Sequence, residues 1–366
     1  MSTTRAARSA LTLPHHFDEL LSNIEPPKHR RDAAAEIPAK VRAFLEGAVG
    51  FPTEDPHSRL TGSYARHTAI HAIKDVDFVV FYDAGDAEPD AEQVLEDLYD
   101  VLQGLPEALG HVGSAQILRR QRRSVHVQFD DEDFHLDVVP AWLRDGIDKP
   151  LLVPDREWSR WVASDPLGYG GALSKLNAAK GEKAVPLIKL FKYWRTVQMQ
   201  RRRPKSYWLE AIVYRYLLKG WVTTDGKGYA ELFTGLLRSI HDRFQPALDG
   251  EWVPEIPDPM LNHNVAFNWE WAAFKSFMTR LDESIGWAER ALAKSNDEMD
   301  DAIALWQKVF GEEFFTDSAT ARKLQLAEWI GKGPVLVMGT GQVVNRPPAT
   351  GRAVESRPHR FYGDAS

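Results

Sequence analysis

The pattern of apolar and polar positions changes along the chain. Apolar residues recur at helical spacing near the N-terminus and again further on, over 17–24, 31–45 and 91–102. Ser124–Phe129 alternates like a strand and is followed by an acidic turn. From Lys175 the spacing is helical, with long amphipathic stretches at 269–293 and 297–310. The pattern predicts N-terminal helices, then a strand-rich lobe, then a helical lobe.

These elements predict an α/β (α+β) protein built of four consecutive parts. Residues 1–48 form a helical segment that packs on the core, 49–170 form the strand-rich lobe and 171–330 form the helical lobe. Residues 331–366 are rich in Gly, Pro and Thr, which predicts a flexible tail. A chain of 366 residues can bury a large core and hold two lobes.

Two aspartates stand two residues apart in the apolar stretch Lys74–Tyr82. In a strand, residues i and i+2 point to the same face, so Asp75 and Asp77 converge while Val76 and Phe78 pack on the other face. Two like charges about 4 Å apart repel by roughly 4 kcal/mol at an effective dielectric of 20. A divalent cation bound between the carboxylates removes this conflict.

A third aspartate, Asp137, lies in a second apolar strand, Phe134–Val139. A buried carboxylate is costly unless it is paired or bound to a metal, so Asp137 is the expected third ligand. A few hard oxygen ligands suit Mg²⁺, which keeps its waters and binds substrate phosphates. The three carboxylates therefore predict a site for two Mg²⁺ ions, with Mn²⁺ as the alternative metal.

A Gly-Ser pair precedes the paired acids. Gly62 allows backbone amides to approach a phosphate, and the hydroxyl of Ser63 can donate to one. Because this turn stands ahead of an Asp-x-Asp strand and a further strand aspartate, the set indicates transfer of a nucleotide from a nucleoside triphosphate. We predict Asp75, Asp77 and Asp137 as the catalytic and metal-binding residues, and Gly62 and Ser63 as nucleotide-binding residues.

The helical lobe adds basic and aromatic candidates. Lys189 and Lys192 are three residues apart on a predicted helix, so they share a face that could meet a triphosphate; a solvated face is the alternative. Ser206 stands where a helix N-cap is expected, at the start of a helix that ends at Gly220. Tyr207 follows it and could stack on a base or belong to the core.

The residues carry a resemblance to a known family. Gly62-Ser63, Asp75-Val-Asp77 and Asp137 resemble the core signature of the polymerase-beta-type nucleotidyltransferases, whose fold is a small mixed sheet backed by helices. Four further motifs are similar to the cGAS/DncV-like nucleotidyltransferases of bacterial anti-phage (CBASS) systems; they lie at 185–194, 205–210, 256–259 and 302–311. The resemblance covers residues 15–315.

The resemblance implies an enzyme that condenses nucleoside triphosphates, ATP or GTP, into a cyclic di- or trinucleotide with release of pyrophosphate. This second messenger would activate a separate effector protein. The family's serine and tyrosine for donor phosphate and base correspond to Ser206 and Tyr207, and its lysine in the preceding helix is best matched by Lys192. Some relatives have a C-terminus conjugated by a ubiquitin-ligase-like partner, so residues 331–366 could be a handle for a regulatory or conjugating partner.

The composition of the chain indicates the cellular compartment and the partners to expect. With no cysteine there is neither a disulfide nor a thiolate zinc site, and a reducing cytoplasm is the expected location. The net charge of -7 argues against broad duplex binding, so no obligatory DNA partner is expected. No stretch approaches the ~18 apolar residues of a membrane helix, and the first residues lack an apolar signal core, so no membrane partner is expected.

Two other functions would use the same acids. A template-independent transferase adding nucleotides to tRNA or other RNA ends would need a continuous basic surface. The basic runs Arg119–Arg123 and Arg201–Arg203 supply this only weakly. A nucleotide-sensing module without turnover is the other alternative, and the presence of all three acids disfavours it.

Overall fold

The computed structural model describes residues 10–331, apart from 73, 86, 111–114 and 202, together with three short strands beyond them. Two helices come first, α1 (Pro14–Asn23) and α2 (Lys28–Glu46), at the predicted places. They pack in different cores. Phe17 of α1 meets Trp306 of the helical lobe edge to face at 4.9 Å, whereas α2 lays Ile37 and Val41 against the sheet. The N-terminal segment therefore joins both lobes.

A five-stranded mixed sheet forms the first lobe, as the resemblance implied. Its strands are β1 (Thr53–Thr61), β2 (Asp75–Tyr82), β3 (Ala115–Arg120), β4 (Val125–Phe129) and β5 (Phe134–Ala141). The order across the sheet is β1-β2-β5-β4-β3. The β2 and β5 strands are parallel, and the other neighbouring pairs are antiparallel. Parallel pairing places equivalent residues of β2 and β5 side by side, which is what brings their acids together.

The two faces of the sheet are covered differently. One face buries Val76, Phe78 and Leu136 under α2 and α4 (Ala91–Leu102), the helix predicted at 91–102. The opposite face buries Val79 and Phe81 against a hairpin. Its strands are β6 (Leu151–Asp155) and β7 (Arg160–Ser164), while α3 (Gly62–Ala65) and α5 (Leu105–Ala108) are single turns. The aspartates of β2 alternate with Val76 and Phe78, so they lie on the hairpin side.

The second lobe is helical, as predicted. It contains α6 (Pro166–Ala179), α7 (Ala184–Gln198), α8 (Ser206–Leu218), α9 (Tyr229–Asp249), α10 (Trp271–Leu292), α11 (Met299–Phe310) and α12 (Ala319–Gly331). Aromatic side chains fill its core; Phe191 stacks on Trp194 at 5.4 Å and Phe233 meets Phe310 at 4.8 Å. Among the helices described, none is long and apolar enough to cross a membrane.

Three short strands are described in the C-terminal region. The strands β8 (Val335–Met338), β9 (Val343–Val344) and β10 (Ala353–Ser356) form an antiparallel sheet in the order β10-β8-β9. These short, valine-rich strands pair through the backbone within the region predicted to be a flexible tail. The Arg357–Gly363 stretch lies outside the described residues.

Candidate active site

The paired acids lie side by side on neighbouring strands. Asp77 is the register partner of Asp137, and Asp75 is the partner of His135. Asp77 and Asp137 are half-buried and Asp75 is exposed, all on the face away from Val76. Burial and the nearby Asp137 carboxylate raise the pKa of Asp77 to about 6. Burial also raises the pKa of Asp137, against the opposing effect of its hydrogen bond to His126. Converging carboxylates of this kind favour a bound cation.

Two histidines that the sequence prediction missed hold the acids. The Nδ1 atom of His126 lies 2.7 Å from Oδ1 of Asp137, and Nδ1 of His135 lies 3.0 Å from Oδ1 of Asp75. The two imidazole rings meet edge to face at 5.0 Å. Strand parity could have revealed them, because His135 stands two residues before Asp137 and His126 alternates with buried valines.

The residues present fit a hard divalent cation, although their side chains do not yet form a complete set. Across the described part of the chain, no three acidic or histidine side chains lie close enough together to hold a metal. Asp75 and Asp137 face their histidine partners, whereas Asp77 points beside the Gly-Ser turn. Asp77 and Asp137 are register partners on adjacent strands, and carboxylate oxygens are the ligand type that Mg²⁺ prefers.

The Gly-Ser turn lies directly against the acids. Gly62 has a φ of 68°, in the left-handed region, and its Cα faces the carboxylate of Asp77. The carbonyl of Ser63 accepts hydrogen bonds from the backbone N–H groups of Thr68 and Ala69, at 2.8 and 3.1 Å. The turn is therefore closed by the chain that follows it.

Lys192 does not reach this surface. Its side chain is fully buried, and its Nζ donates to Oε1 of Glu210 at 2.6 Å, to the carbonyl of Thr68 at 2.9 Å and to the hydroxyl of Thr68 at 3.2 Å. All three ammonium protons are thus used inside the protein. In this structure Lys192 therefore faces away from the aspartates, because Glu210 of the next helix and the distant Thr68 hold its ammonium group inside the protein. Its contact with a triphosphate stays a prediction.

Lys189 lies elsewhere again. Its Nζ donates to Oε1 of Glu25, and it lines a cavity of about 300 Å³ together with Tyr64 and Leu60. Leu60 is the register partner of Phe78, so this cavity lies on the sheet face opposite the aspartates. The structure therefore does not bring Lys189 to the carboxylates, and its contact with a triphosphate stays a prediction. The two lysines were predicted to share one face of the helix, yet each of them binds a different glutamate.

Ser206 and Tyr207 begin α8, and one detail of their prediction is wrong. The N-cap residue is Lys205, and Ser206 is the first helical residue; its hydroxyl accepts from Nη1 of Arg195 at 3.1 Å. The Tyr207 hydroxyl donates to Oδ2 of Asp258 at 2.7 Å. Burial, and then this hydrogen bond, raise the pKa of Tyr207. The tyrosine ring is thus held in a defined position at the start of the helix.

A mixed sheet that sets Asp77 beside Asp137, next to a Gly-Ser turn, is the arrangement that the resemblance to polymerase-beta-type nucleotidyltransferases implied. Comparisons with known proteins show what the chain is similar to. Residues 11–177 match the sequence model of the Second Messenger Oligonucleotide or Dinucleotide Synthetase (SMODS) domain. A cyclic AMP-AMP-AMP synthase of Acinetobacter sp. is 29% identical over 314 residues, which are 83% of this chain and 86% of that protein.

Solved structures share the fold. CdnC of Escherichia coli MS115-1 with ATP superposes with a TM-score of 0.64 at 20% identity, over 83% of this chain and 99% of CdnC. CdnC has also been solved with HORMA-deltaN, with a TM-score of 0.63 at 19% identity over 83% of this chain and 98% of that one. DncV cyclic AMP-GMP synthase of Vibrio cholerae, with a linear intermediate, gives 0.61 at 12% identity, over 85% and 98% of the two chains. The chain is therefore similar to cyclic oligonucleotide synthases over most of its length, and it shares the fold of CdnC and DncV.

Proposed function

We propose that this enzyme condenses three molecules of ATP into a cyclic trinucleotide, with release of pyrophosphate at each step. The observation that carries the proposal is the register of Asp77 with Asp137 beside Gly62, which gathers carboxylates where a triphosphate must be held. The choice of ATP and of a trinucleotide rests on the similarity to the cyclic AMP-AMP-AMP synthase. A cyclic dinucleotide is the other product that the same cleft could close.

Asp75, Asp77 and Asp137 are the residues that would hold two Mg²⁺ ions, and Mn²⁺ would suit the same oxygen ligands. Held there, the ions would neutralise triphosphate charge and would lower the pKa of an attacking ribose hydroxyl. The side chains of the protein would position the carboxylates that bind these ions. His126 and His135 would orient Asp137 and Asp75, because a histidine that hydrogen-bonds a carboxylate fixes how that carboxylate presents its oxygens to a metal.

The nucleotide-binding roles fall to residues on both lobes. The backbone at Gly62 and the hydroxyl of Ser63 would approach the phosphates of the bound triphosphate. Ser206 would bind the donor triphosphate, with Arg195 orienting its hydroxyl, and the ring of Tyr207 would stack on the donor base. Catalysis then depends on alignment and charge stabilisation, so no side-chain nucleophile is needed.

Partners follow from this activity. The product would act on a separate cyclic-nucleotide effector protein, and the enzyme would work in the cytoplasm, where its triphosphates are made. A HORMA-type protein, like the one solved with CdnC, is a regulatory partner of suitable kind. The region after residue 331 stays a proposed handle for a conjugating partner.

The RNA-end hypothesis lacks the surface that it needs. Arg122 and Arg123 of the main basic run both bind the buried carboxylate of Asp155, at 2.7 Å in each case. These two side chains are therefore used within the lobe. No observation in the described residues favours an RNA substrate over free triphosphates.

Incubation with all four labelled nucleoside triphosphates and Mg²⁺, followed by phosphatase and chromatography, tests the proposal. We expect a phosphatase-resistant product of trinucleotide mass from ATP alone, unchanged by nuclease treatment of the enzyme and absent with Asp77→Asn. Label that enters only added tRNA or other RNA, with no resistant small product, would instead establish the RNA-modifying activity.

A further inference from the structure

Four side chains at the boundary of the two lobes form one buried charged cluster, which we call the interlobe network: Arg66, Thr68, Lys192 and Glu210. Thr68 and Lys192 are fully buried, Glu210 is 1% exposed and the side chain of Arg66 is 7% exposed. Two of the four belong to the segment after the Gly-Ser turn, and two belong to α7 and α8. The network is therefore a direct polar link between the lobes.

Glu210 is the centre of the network. Its Oε2 accepts from Nε of Arg66 at 2.9 Å, and its Oε1 accepts from the hydroxyl of Thr68 at 3.0 Å and from Nζ of Lys192 at 2.6 Å. Burial opposes ionisation, but the charges of Lys192 and Arg66 outweigh it and lower the pKa of the Glu210 carboxyl to about 2. One carboxylate thus organises two cations and a hydroxyl.

On the side of the nucleotidyltransferase lobe, the network ends at the Gly-Ser turn. Lys192 donates to the carbonyl and hydroxyl of Thr68, and the backbone N–H of Thr68 donates to the carbonyl of Ser63. A displacement of Lys192 must therefore move Thr68, and with it the turn that faces Asp77.

On the side of the helical lobe, the network ends at the start of α8. Glu210 lies one helical turn after Ser206, on the same face of the helix. The guanidinium of Arg66 lies 4.9 Å from the ring centroid of Tyr169 and 5.9 Å from that of Tyr207. The position of Tyr207 is thus tied to the same carboxylate as the position of Ser63.

We propose that Glu210 and Lys192 are positioning residues that hold the Gly62–Ser63 turn and Tyr207 in register across the cleft, so that donor phosphate and donor base are bound in one geometry. The inference rests on the proposed function, because it concerns the same cleft. Stability alone does not explain such a cluster, since buried ion pairs can be replaced by apolar residues of similar size with little loss of stability.

A charge-balanced pair of variants separates positioning from stability. Glu210→Gln leaves two buried cations without their carboxylate, and we expect a large fall in melting temperature. The double variant Lys192→Met with Glu210→Gln removes one cation and the anion together, so the cluster keeps its wild-type net charge. We expect its melting temperature to recover while kcat stays about 10²-fold below wild type, the size of loss that misplacement of reacting groups by ~1 Å produces. KM for ATP should change much less than kcat.

Thr68→Val gives a second test that leaves the ion pairs in place. It removes the hydroxyl that bridges Glu210 and Lys192, and we expect faster hydrogen exchange, by mass spectrometry, in the peptide spanning residues 61–72. Thr234→Val is the matched control, because Thr234 is also buried but its hydroxyl donates to Ala230 within α9. The control should leave both exchange at 61–72 and kcat unchanged.

The outcomes are distinct. Recovery of both melting temperature and kcat in the double variant would overturn the positioning role, as would unchanged exchange at 61–72 and unchanged kcat in Thr68→Val. If the double variant stays destabilised, the Thr68→Val result decides. If wild-type enzyme makes no cyclic product, the proposed function fails, whereas the exchange measurement still tests whether the network orders the turn.

Discussion

A β-carbon at position 62 would lie 1.7 Å from Oδ2 of Asp77, far inside any permitted non-bonded contact. The backbone of the Gly-Ser turn therefore touches the central carboxylate of the site with no side chain between them. Two constraints therefore require glycine at position 62: the left-handed φ and the close approach of the backbone to Asp77.

Gly62→Ala should abolish product formation, because the methyl group must displace either Asp77 or the turn. Gly85→Ala is the matched control, since Gly85 has a similar φ of 58° but has open space around its Cα. The control isolates backbone strain, which costs about 1 kcal/mol and should leave activity intact. Product yield by mass spectrometry and melting temperature, measured for both variants, check this prediction. Wild-type turnover by Gly62→Ala would contradict the close contact.

Asp77→Asn should stabilise the metal-free protein at pH 8. The folded-state pKa of about 6 exceeds the usual 3.8, so the folded protein binds this proton more tightly than the unfolded chain does. That contribution is fully present below about pH 4 and is lost as the pH rises through 6. The amide avoids the loss, and we expect a gain of roughly 2 kcal/mol at pH 8 that disappears near pH 4.

Denaturant unfolding at both pH values, in the presence of a chelator, measures the effect of Asp77→Asn. Addition of Mg²⁺ should then stabilise wild type and leave the variant unchanged. An equal response of the two proteins to Mg²⁺ would show that Asp77 is not a ligand.

His126→Leu should weaken metal binding, because Asp137 loses its shorter side-chain hydrogen bond and keeps only the one from Gln121. Loss of a hydrogen-bond partner behind a metal ligand lowers metal affinity about 10- to 100-fold. Titration of Mn²⁺ followed by electron paramagnetic resonance gives the affinity directly. His241→Leu, which removes a histidine from the surface of α9, is the control and should bind Mn²⁺ as wild type does. Equal affinities for the two variants would count against the orienting role of His126.

Tyr207→Ala should weaken binding of a non-hydrolysable ATP analogue by about 1 to 3 kcal/mol if the ring stacks on the donor base. Tyr207→Phe keeps the ring and loses only the hydrogen bond to Asp258, so its affinity should fall less. Isothermal calorimetry on both variants, with melting temperatures as a check on folding, distinguishes the two contributions. If Tyr207→Ala binds the ATP analogue as tightly as wild type does, the ring packs in the core and does not stack on the base.

Strand parity was enough to predict which aspartates share a face of the sheet. The spacing of Asp75 and Asp77 already placed both on one face, because side-chain alternation is a local property of any strand. Helical periodicity likewise located α4, α10 and α11 to within a few residues. These features depend on neighbours a few positions apart, and such neighbours can be read directly from the sequence.

Tertiary structure alone decided what the polar side chains of the helical lobe contact. Spacing put Lys189 and Lys192 on one helical face, yet one binds Glu25, 164 positions away, and the other binds the carbonyl of Thr68, 124 positions away. Arg66 and Glu210 are 144 positions apart and carry no local signal of their pairing. The sequence by itself determined the helices and strands and which aspartates share a face. Only the folded chain decided which buried charges meet, because a buried ion is satisfied by whichever partner the packing of distant elements delivers.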